Sequence, residues 1–153
     1  MTHKNQRVLI TAAATGIGRA TANAFLEAGA KVYICDVDSK ALERTLKAEK
    51  RLAGMVTDVA DESQVAKLFA AGMKHLGGLD IVVANAGIAG PTAAVEDVSY
   101  EDWRRCLGVN LDGAFLCAKH AAPHLKKQKS GSVILLSSTA GLGAASIIRA
   151  SNR

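Results

Sequence analysis

Aromatic residues make up only 4% of these 153 residues, with a single Trp. Nucleic-acid surfaces rely on aromatic side chains interleaved with a basic stripe, and that pattern is missing. The 19 Lys and Arg against 14 Asp and Glu give a net charge of +5, but the cations are spread along the chain. Their densest group, Lys126, Lys127 and Lys129, falls at the end of a predicted helix, where positive charge complements the dipole. No nucleic-acid partner is expected. Cysteine is equally sparse: Cys35, Cys106 and Cys117 lack metal-ligand spacing, and each sits in an apolar segment where a thiol acts as a small hydrophobe. No disulfide framework or metal centre is read from them. No apolar run reaches the roughly 18 residues of a membrane helix. The start, MTHKNQRVLIT, also lacks the apolar centre of a signal peptide. A soluble cytoplasmic protein is the expectation.

What is present is an ordinary globular balance, 49% apolar and 22% charged, at a length that suits one domain. Short apolar runs at 7–11, 31–36, 54–59, 79–85 and 132–138 are rich in Val, Ile and Leu without strict polar alternation. Strands covered on both faces of a parallel sheet read this way. Helix-length segments separate them. The first, 17–28, places Ile17, Ala20, Ala24 and Ala28 on one side and stops at Gly29. The second, 39–50, starts at the N-cap candidate Asp38 and ends near Gly54. The third, 61–76, carries Val65, Leu68, Phe69 and Met73 at helical spacing. The fourth, 99–127, has Trp103, Leu107, Leu111, Phe115 and Ala118 as its apolar stripe, with Pro123 expected to bend or shorten its final turns. Strand and helix alternating four times demand right-handed crossovers and a doubly wound, Rossmann-type α/β sheet.

The segment from Thr11 through Thr15, Gly16 and Ile17 to Gly18 follows the first strand and opens the first helix. Ligands of such sheets sit beyond the carboxyl ends of the strands, where a helix N-terminus offers free N–H groups to a pyrophosphate. Gly16 lets backbone approach the phosphates, and Gly18 lets the helix pack against the strand. Asp36 ends the second strand 18 residues beyond Gly18. That is near the spacing at which a carboxylate takes both hydroxyls of the adenosine ribose, which favours NAD. A 2′-phosphate would be repelled there, and neither Thr15 nor Val37 is a cation that could receive it. A helix N-cap is the competing reading of Asp36, and Asp38 is better placed for that role.

With these residues in place, the chain resembles the short-chain dehydrogenase/reductase family over roughly residues 6–141. The glycine segment is similar to that family's Thr-Gly-x3-Gly-x-Gly at Thr11, Gly16 and Gly18. Asp58-Val59 matches the pair that holds the adenine, and Asn85-Ala86-Gly87 the triplet that supports the sheet centre and lines the cofactor site. Asn110 matches the catalytic Asn, and Ser138 the catalytic Ser. The resemblance implies the strand order 3-2-1-4-5 and hydride transfer between nicotinamide and a secondary alcohol or ketone. It also implies a sheet lacking its sixth and seventh strands, and a domain over 1–142 followed by an atypical tail over 143–153.

Two departures stand out. Ala12 occupies the place of the family's first glycine, so a negative φ or slight strain is expected there. At position 151, where the resemblance puts the Tyr of Tyr-x3-Lys, stands Ser. Tyr33 is followed four residues later by Val37 and Tyr100 by Arg104, so neither replaces it. In the family that Tyr moves the proton and the Lys lowers its pKa, Ser138 holds the substrate oxygen, and Asn110 fixes a water. General acid–base catalysis contributes roughly 10²- to 10⁴-fold, and its loss predicts negligible turnover by this chain alone. A frame shifted or cut shortly after Gly141 is the expectation for the tail. An open edge along 132–138 and an uncovered long helix predict a homo-oligomer or an aggregation-prone chain. His120 and His124, four apart, lack a third ligand and read as structural. Two alternatives stay open: a catalytically inert nucleotide-binding or interaction module, and another Rossmann-type enzyme such as a methyltransferase.

Overall fold

The computed structural model describes residues 4–138. Their elements run β1 (Arg7–Ile10), α1 (Gly16–Glu27), β2 (Lys31–Asp36), α2 (Ser39–Ala48), β3 (Leu52–Val56), α3 (Glu62–Leu76), β4 (Ile81–Ala84), α4 (Tyr100–Leu107), α5 (Gly113–Gln128) and β5 (Ser132–Leu135). All strand pairs are parallel, in the order β3-β2-β1-β4-β5. The Rossmann-type doubly wound sheet expected from the sequence is the fold observed.

Strand pleating divides the core. Val8, Ile10, Val32, Ile34, Ile81 and Val83 face α1 and α2 through Ala22, Leu26, Ala41 and Leu42. Their neighbours Leu9, Tyr33, Cys35, Val82 and Ala84 face α3 and α5 through Val65, Leu68, Phe69, Leu116, Cys117 and Ala121. Each buried Val, Leu or Ile contributes about 1.5–3 kcal/mol, so both layers are needed and neither strand face can be polar. Burial pushes the Cys35 thiol up to about 12 and the Cys117 thiol up to about 11, which keeps both protonated and inert, as their apolar settings predicted.

Several sequence expectations are corrected. The third strand lies at 52–56 rather than 54–59, because its register pairs Leu52 with Val32 and Val56 with Asp36. Gly54 therefore sits inside β3, where a Cβ would come within 2.4 Å of the Ile34 carbonyl oxygen, and α2 already stops at Ala48. On α1 the buried positions are Gly18, Ala22 and Leu26, while Ile17 is 69% exposed. The fourth helix is α4 and α5 joined by a π-helical turn over Gly108–Asp112. Its buried face is Gly113, Leu116, Cys117 and Ala121, and the expected stripe of Trp103, Leu111 and Phe115 is exposed. Pro123 does not shorten it, since α5 continues to Gln128. The fifth strand ends at Leu135, so Ser138 lies in the segment beyond it. The tail assigned to 143–153 lies outside the described residues.

At the amino edge of the sheet, Arg7 and Asp80 tie β1 to β4. The guanidinium Nε and Nη2 donate to Asp80 Oδ2 and Oδ1 at 2.8 and 2.7 Å, and the Arg7 backbone N–H reaches Oδ2 at 2.8 Å. Gly77 O accepts from Nη1 and Gln128 Oε1 from Nη2, both at 2.8 Å. Hydrogen bonds from Arg7 hold the Asp80 carboxyl below its usual range. Because the folded value lies below the unfolded one of about 3.9, this contribution is complete above pH 4 and fades as pH falls through the folded pKa. Asp80→Asn is expected to cost about 2 kcal/mol near neutrality in urea unfolding. Its deficit against the parent chain should shrink steadily on acidification toward pH 2; a deficit independent of pH would contradict the assignment.

Candidate functional site

The carboxyl ends of β1, β2 and β4 converge on the turn that leads into α1. Thr11, fully buried, donates its N–H to Val83 O at 3.0 Å. Its Oγ1 accepts the N–H groups of Asn85 and Ala86 at 3.0 and 3.1 Å. The Asn85 side-chain amide returns hydrogen bonds to Thr11 O and Ala12 O, both at 3.0 Å. Two sequence-distant motifs are thus one structural unit. Ala12 has φ +49°, so the negative φ considered for it is not adopted and the strained alternative holds. The surrounding hydrogen bonds impose that geometry, because the Ala12 carbonyl is held by Asn85 and the Ala13 N–H by Cys35 O at 2.9 Å.

Beyond Ala12 the turn leans on β2. The Ala14 N–H donates to Asp36 Oδ2 at 3.0 Å, and the Asp38 N–H donates to Oδ1 at 3.1 Å. Asp38, not Asp36, caps α2, by accepting from the Ala41 N–H at 3.0 Å. The Asp36 carboxylate therefore stands oriented at the end of β2, and each oxygen retains accepting capacity for a further hydroxyl.

Thr15 enters α1 in extended geometry, with no side-chain cap on the first turn and no acidic residue in it. Gly16 has φ +57°, and a Cβ built there would meet nothing within 4 Å. Gly18 is the reverse case, for its Cβ would fall 2.3 Å from Ala12 O and 2.6 Å from Asn85 Nδ2. An uncapped helix N-terminus, open space over Gly16 and an oriented carboxylate at the neighbouring strand end fit a dinucleotide: first-turn N–H groups for the diphosphate, Asp36 for the ribose. Ile17, exposed beside them, provides an apolar lip.

The other assigned residues lie past the ends of β3, β4 and β5 or on the π-helical turn between α4 and α5. Asp58 lies in the loop after β3, where its Oδ1 accepts from the Ala60 N–H at 2.9 Å and its own N–H donates to Gln64 Oε1 at 2.9 Å. Val59 is buried against α5, so close that a Cβ on Gly113 would come within 2.9 Å of its Cγ2. Ala86 and Gly87 follow β4, and a Cβ on Gly87 would fall 3.3 Å from Asn110 Oδ1. Asn110 occupies the π-helical turn and grips the loop after β4 at two points: Oδ1 accepts the Ile88 N–H at 2.8 Å and Nδ2 donates to Ile88 O at 2.9 Å. Ser138 is exposed beyond the end of β5, the strand beside β4.

Sequence reasoning missed two contributors. Thr45 on α2 donates its hydroxyl to Ala14 O at 2.8 Å, and Cys106 Sγ lies 3.3 Å from Asn110 Nδ2. Thr45 had one available signal, a hydroxyl on the buried face of an amphipathic helix; Cys106 had none. Among the described residues no group of three His, Cys, Asp or Glu could hold a metal ion. His120 instead packs its ring on Phe69, with centroids 5.8 Å apart. No helix among the described residues is long and apolar enough to cross a membrane.

The fold and the turn at its carboxyl edge define a Rossmann-type doubly wound α/β architecture. The family model described as short chain dehydrogenase matches residues 6–149, and the chain belongs to that family. It is 42% identical over 136 residues to cis-4-hydroxycyclohexanecarboxylate dehydrogenase of Sinomonas cyclohexanicum, covering 87% of this chain and 55% of that one. It is 40% identical over 133 residues to (+)-borneol dehydrogenase 1 of Salvia officinalis, covering 85% and 51%. A crystal structure of 3-ketoacyl-(acyl-carrier-protein) reductase from Brucella melitensis complexed with NADH superposes with a TM-score of 0.88 at 29% identity, covering 96% of this chain and 62% of that one. The chain spans about half the length of the curated relatives it matches.

Proposed function

We propose that residues 1–142 form the NAD-binding domain of an oxidoreductase that interconverts a secondary alcohol and a ketone. The observation that carries this reading is the oriented Asp36 carboxylate beside the uncapped, glycine-lined start of α1. NAD, when bound, supplies or accepts the hydride. Thr15, Gly16, Ile17 and Gly18 hold the diphosphate, and Asp36 takes the adenosine ribose hydroxyls. Asp58 and Val59 border the adenine; Val59 offers backbone only, because its side chain is in the core. Thr11 and Asn85 fix the turn, while Ala86 and Gly87 line the path toward the nicotinamide end. Asn110 and Ser138 serve the substrate side. NAD is favoured over NADP because Asp36 repels a 2′-phosphate and Val37, 69% exposed beside it, brings no cation.

The proton-transferring pair has no representative among these 153 residues. Burial raises the Tyr33 hydroxyl above its ordinary value, the wrong direction for a proton shuttle, and Tyr100 is followed by Arg104. This favours, as a second reading for these residues alone, a dinucleotide-binding unit without turnover. The exposed Ile134 and Leu135 of β5, Leu136 just beyond it and Phe115 on α5 favour self-association of such a unit.

Calorimetric titration tests the proposal. One NAD per chain is expected, with NADP about tenfold or more weaker and Asp36→Ala losing about 10- to 100-fold in NAD affinity, the equivalent of one or two charge-assisted hydrogen bonds. Equal affinity for both nucleotides, or unchanged binding by Asp36→Ala, would overturn it. Steady oxidation of secondary alcohols by the 153-residue chain would overturn the second reading.

A further inference from the structure

We propose that Thr45 is a positioning residue of the cofactor turn, acting through Ala14 on Asp36; the proposal rests on the NAD reading above. Thr45 lies on the buried face of α2 with Ala41 and Leu42, 9% exposed, at a position where an aliphatic side chain would suit the core equally well. A buried hydroxyl is costly unless it is hydrogen-bonded. A helical Thr usually satisfies it locally, on the carbonyl one turn back. Here its single proton goes instead to Ala14 O at 2.8 Å, 31 residues earlier in the chain.

That choice has a consequence at the site. Ala14 is 3% exposed, so its carbonyl has little access to solvent as a replacement partner. The same residue donates its N–H to Asp36 Oδ2 at 3.0 Å. Thr45 and Asp36 therefore hold the two backbone polar atoms of one residue, and a turn released by loss of the hydroxyl carries the Ala14 N–H away from the carboxylate. Asp36 then keeps only the Asp38 N–H on Oδ1 and loses its fixed orientation toward the ribose. The helix after β2 thereby sets the geometry of the ribose site without touching the ligand.

The series Thr45→Ser, Thr45→Cys and Thr45→Val grades the donor from intact through weak to absent, with Val matching the shape of Thr and Ser and Cys lacking its methyl. NAD titrated into the full 153-residue chain is expected to bind the Ser variant within about twofold of the parent, the Val variant about tenfold more weakly, and the Cys variant in between. In an Asp36→Ala background the Val step should shrink to under about twofold, because the two residues act in one line. Parent-like binding by Thr45→Val, or the full loss persisting in the Asp36→Ala background, overturns the role of Thr45 and leaves the NAD reading intact. Parent-like binding by Asp36→Ala alone overturns both. If the Val variant does not fold, the Ser and Cys variants decide: equal affinities overturn the proposal, and a weaker Cys variant upholds it.

Discussion

Gly18→Ala is expected to abolish measurable NAD binding and to destabilise the chain by about 3 kcal/mol, the upper end of what overpacking costs. The added methyl would lie 2.3 Å from Ala12 O, 2.6 Å from Asn85 Nδ2 and 2.9 Å from Ala13 Cα. None of these is the free end of a flexible side chain. Ala12 is held in positive φ by its neighbours, and Asn85 is committed to two carbonyls. Relief therefore requires α1 to move off the turn, which displaces the first-turn N–H groups from the phosphate site. Gly16→Ala is the informative contrast: its Cβ meets nothing, so only the positive φ is penalised, at about 1 kcal/mol. Urea unfolding and NAD titration of the two variants check the ranking. A Gly18→Ala protein as stable as the Gly16→Ala one would show that the close approach is not rigid.

Thr11→Val should cost about 3 kcal/mol even though the side chains share a shape, since two donors lose their acceptor at once. Thr11 is fully buried, and its Oγ1 receives both the Asn85 and Ala86 N–H groups. Each N–H left unsatisfied carries a desolvation penalty that the extra methyl does not offset. Thr11→Ser keeps the acceptor and loses only one buried methyl, for about 1 kcal/mol. The thermal midpoints should order parent, Ser, Val, with amide exchange at Asn85 and Ala86 fastest in the Val variant. A Val variant matching Ser would mean that water or a shifted carbonyl replaces the hydroxyl.

The sheet was legible because its strands are buried on both faces, which leaves continuous Val, Ile and Leu runs that few other structures need. The placement of the candidates other than Asn110 followed from the same runs, since each stands at or past a strand end, whereas Asn110 lies on the π-helical turn. Helix faces were less legible. On α1 the small residues give little contrast, so Ile17 reads as core although it stands on the exposed lip of the crevice. On the fourth helix, Trp103, Leu107, Leu111 and Phe115 keep perfect four-residue spacing, and that regularity misleads. The π-helical turn at 108–112 inserts an extra residue into the turn, and the face that packs on the sheet is set by Gly113 against Val59 instead. Periodicity cannot reveal a local change of period. The roles of Thr45 and Asn110 were hidden for another reason: both act on backbone atoms of distant residues, Ala14 and Ile88, which carry no side-chain signature.

Amide chemical shifts of the labelled chain under NAD titration test the location of the site most directly. The account predicts saturable changes at Gly16, Ile17, Gly18, Asp36 and Ala86, with Gly29, Gly77 and Asp80 at the opposite edge of the sheet unmoved. Saturable changes confined to that opposite edge, or none at any NAD concentration in a well-dispersed spectrum, would contradict it.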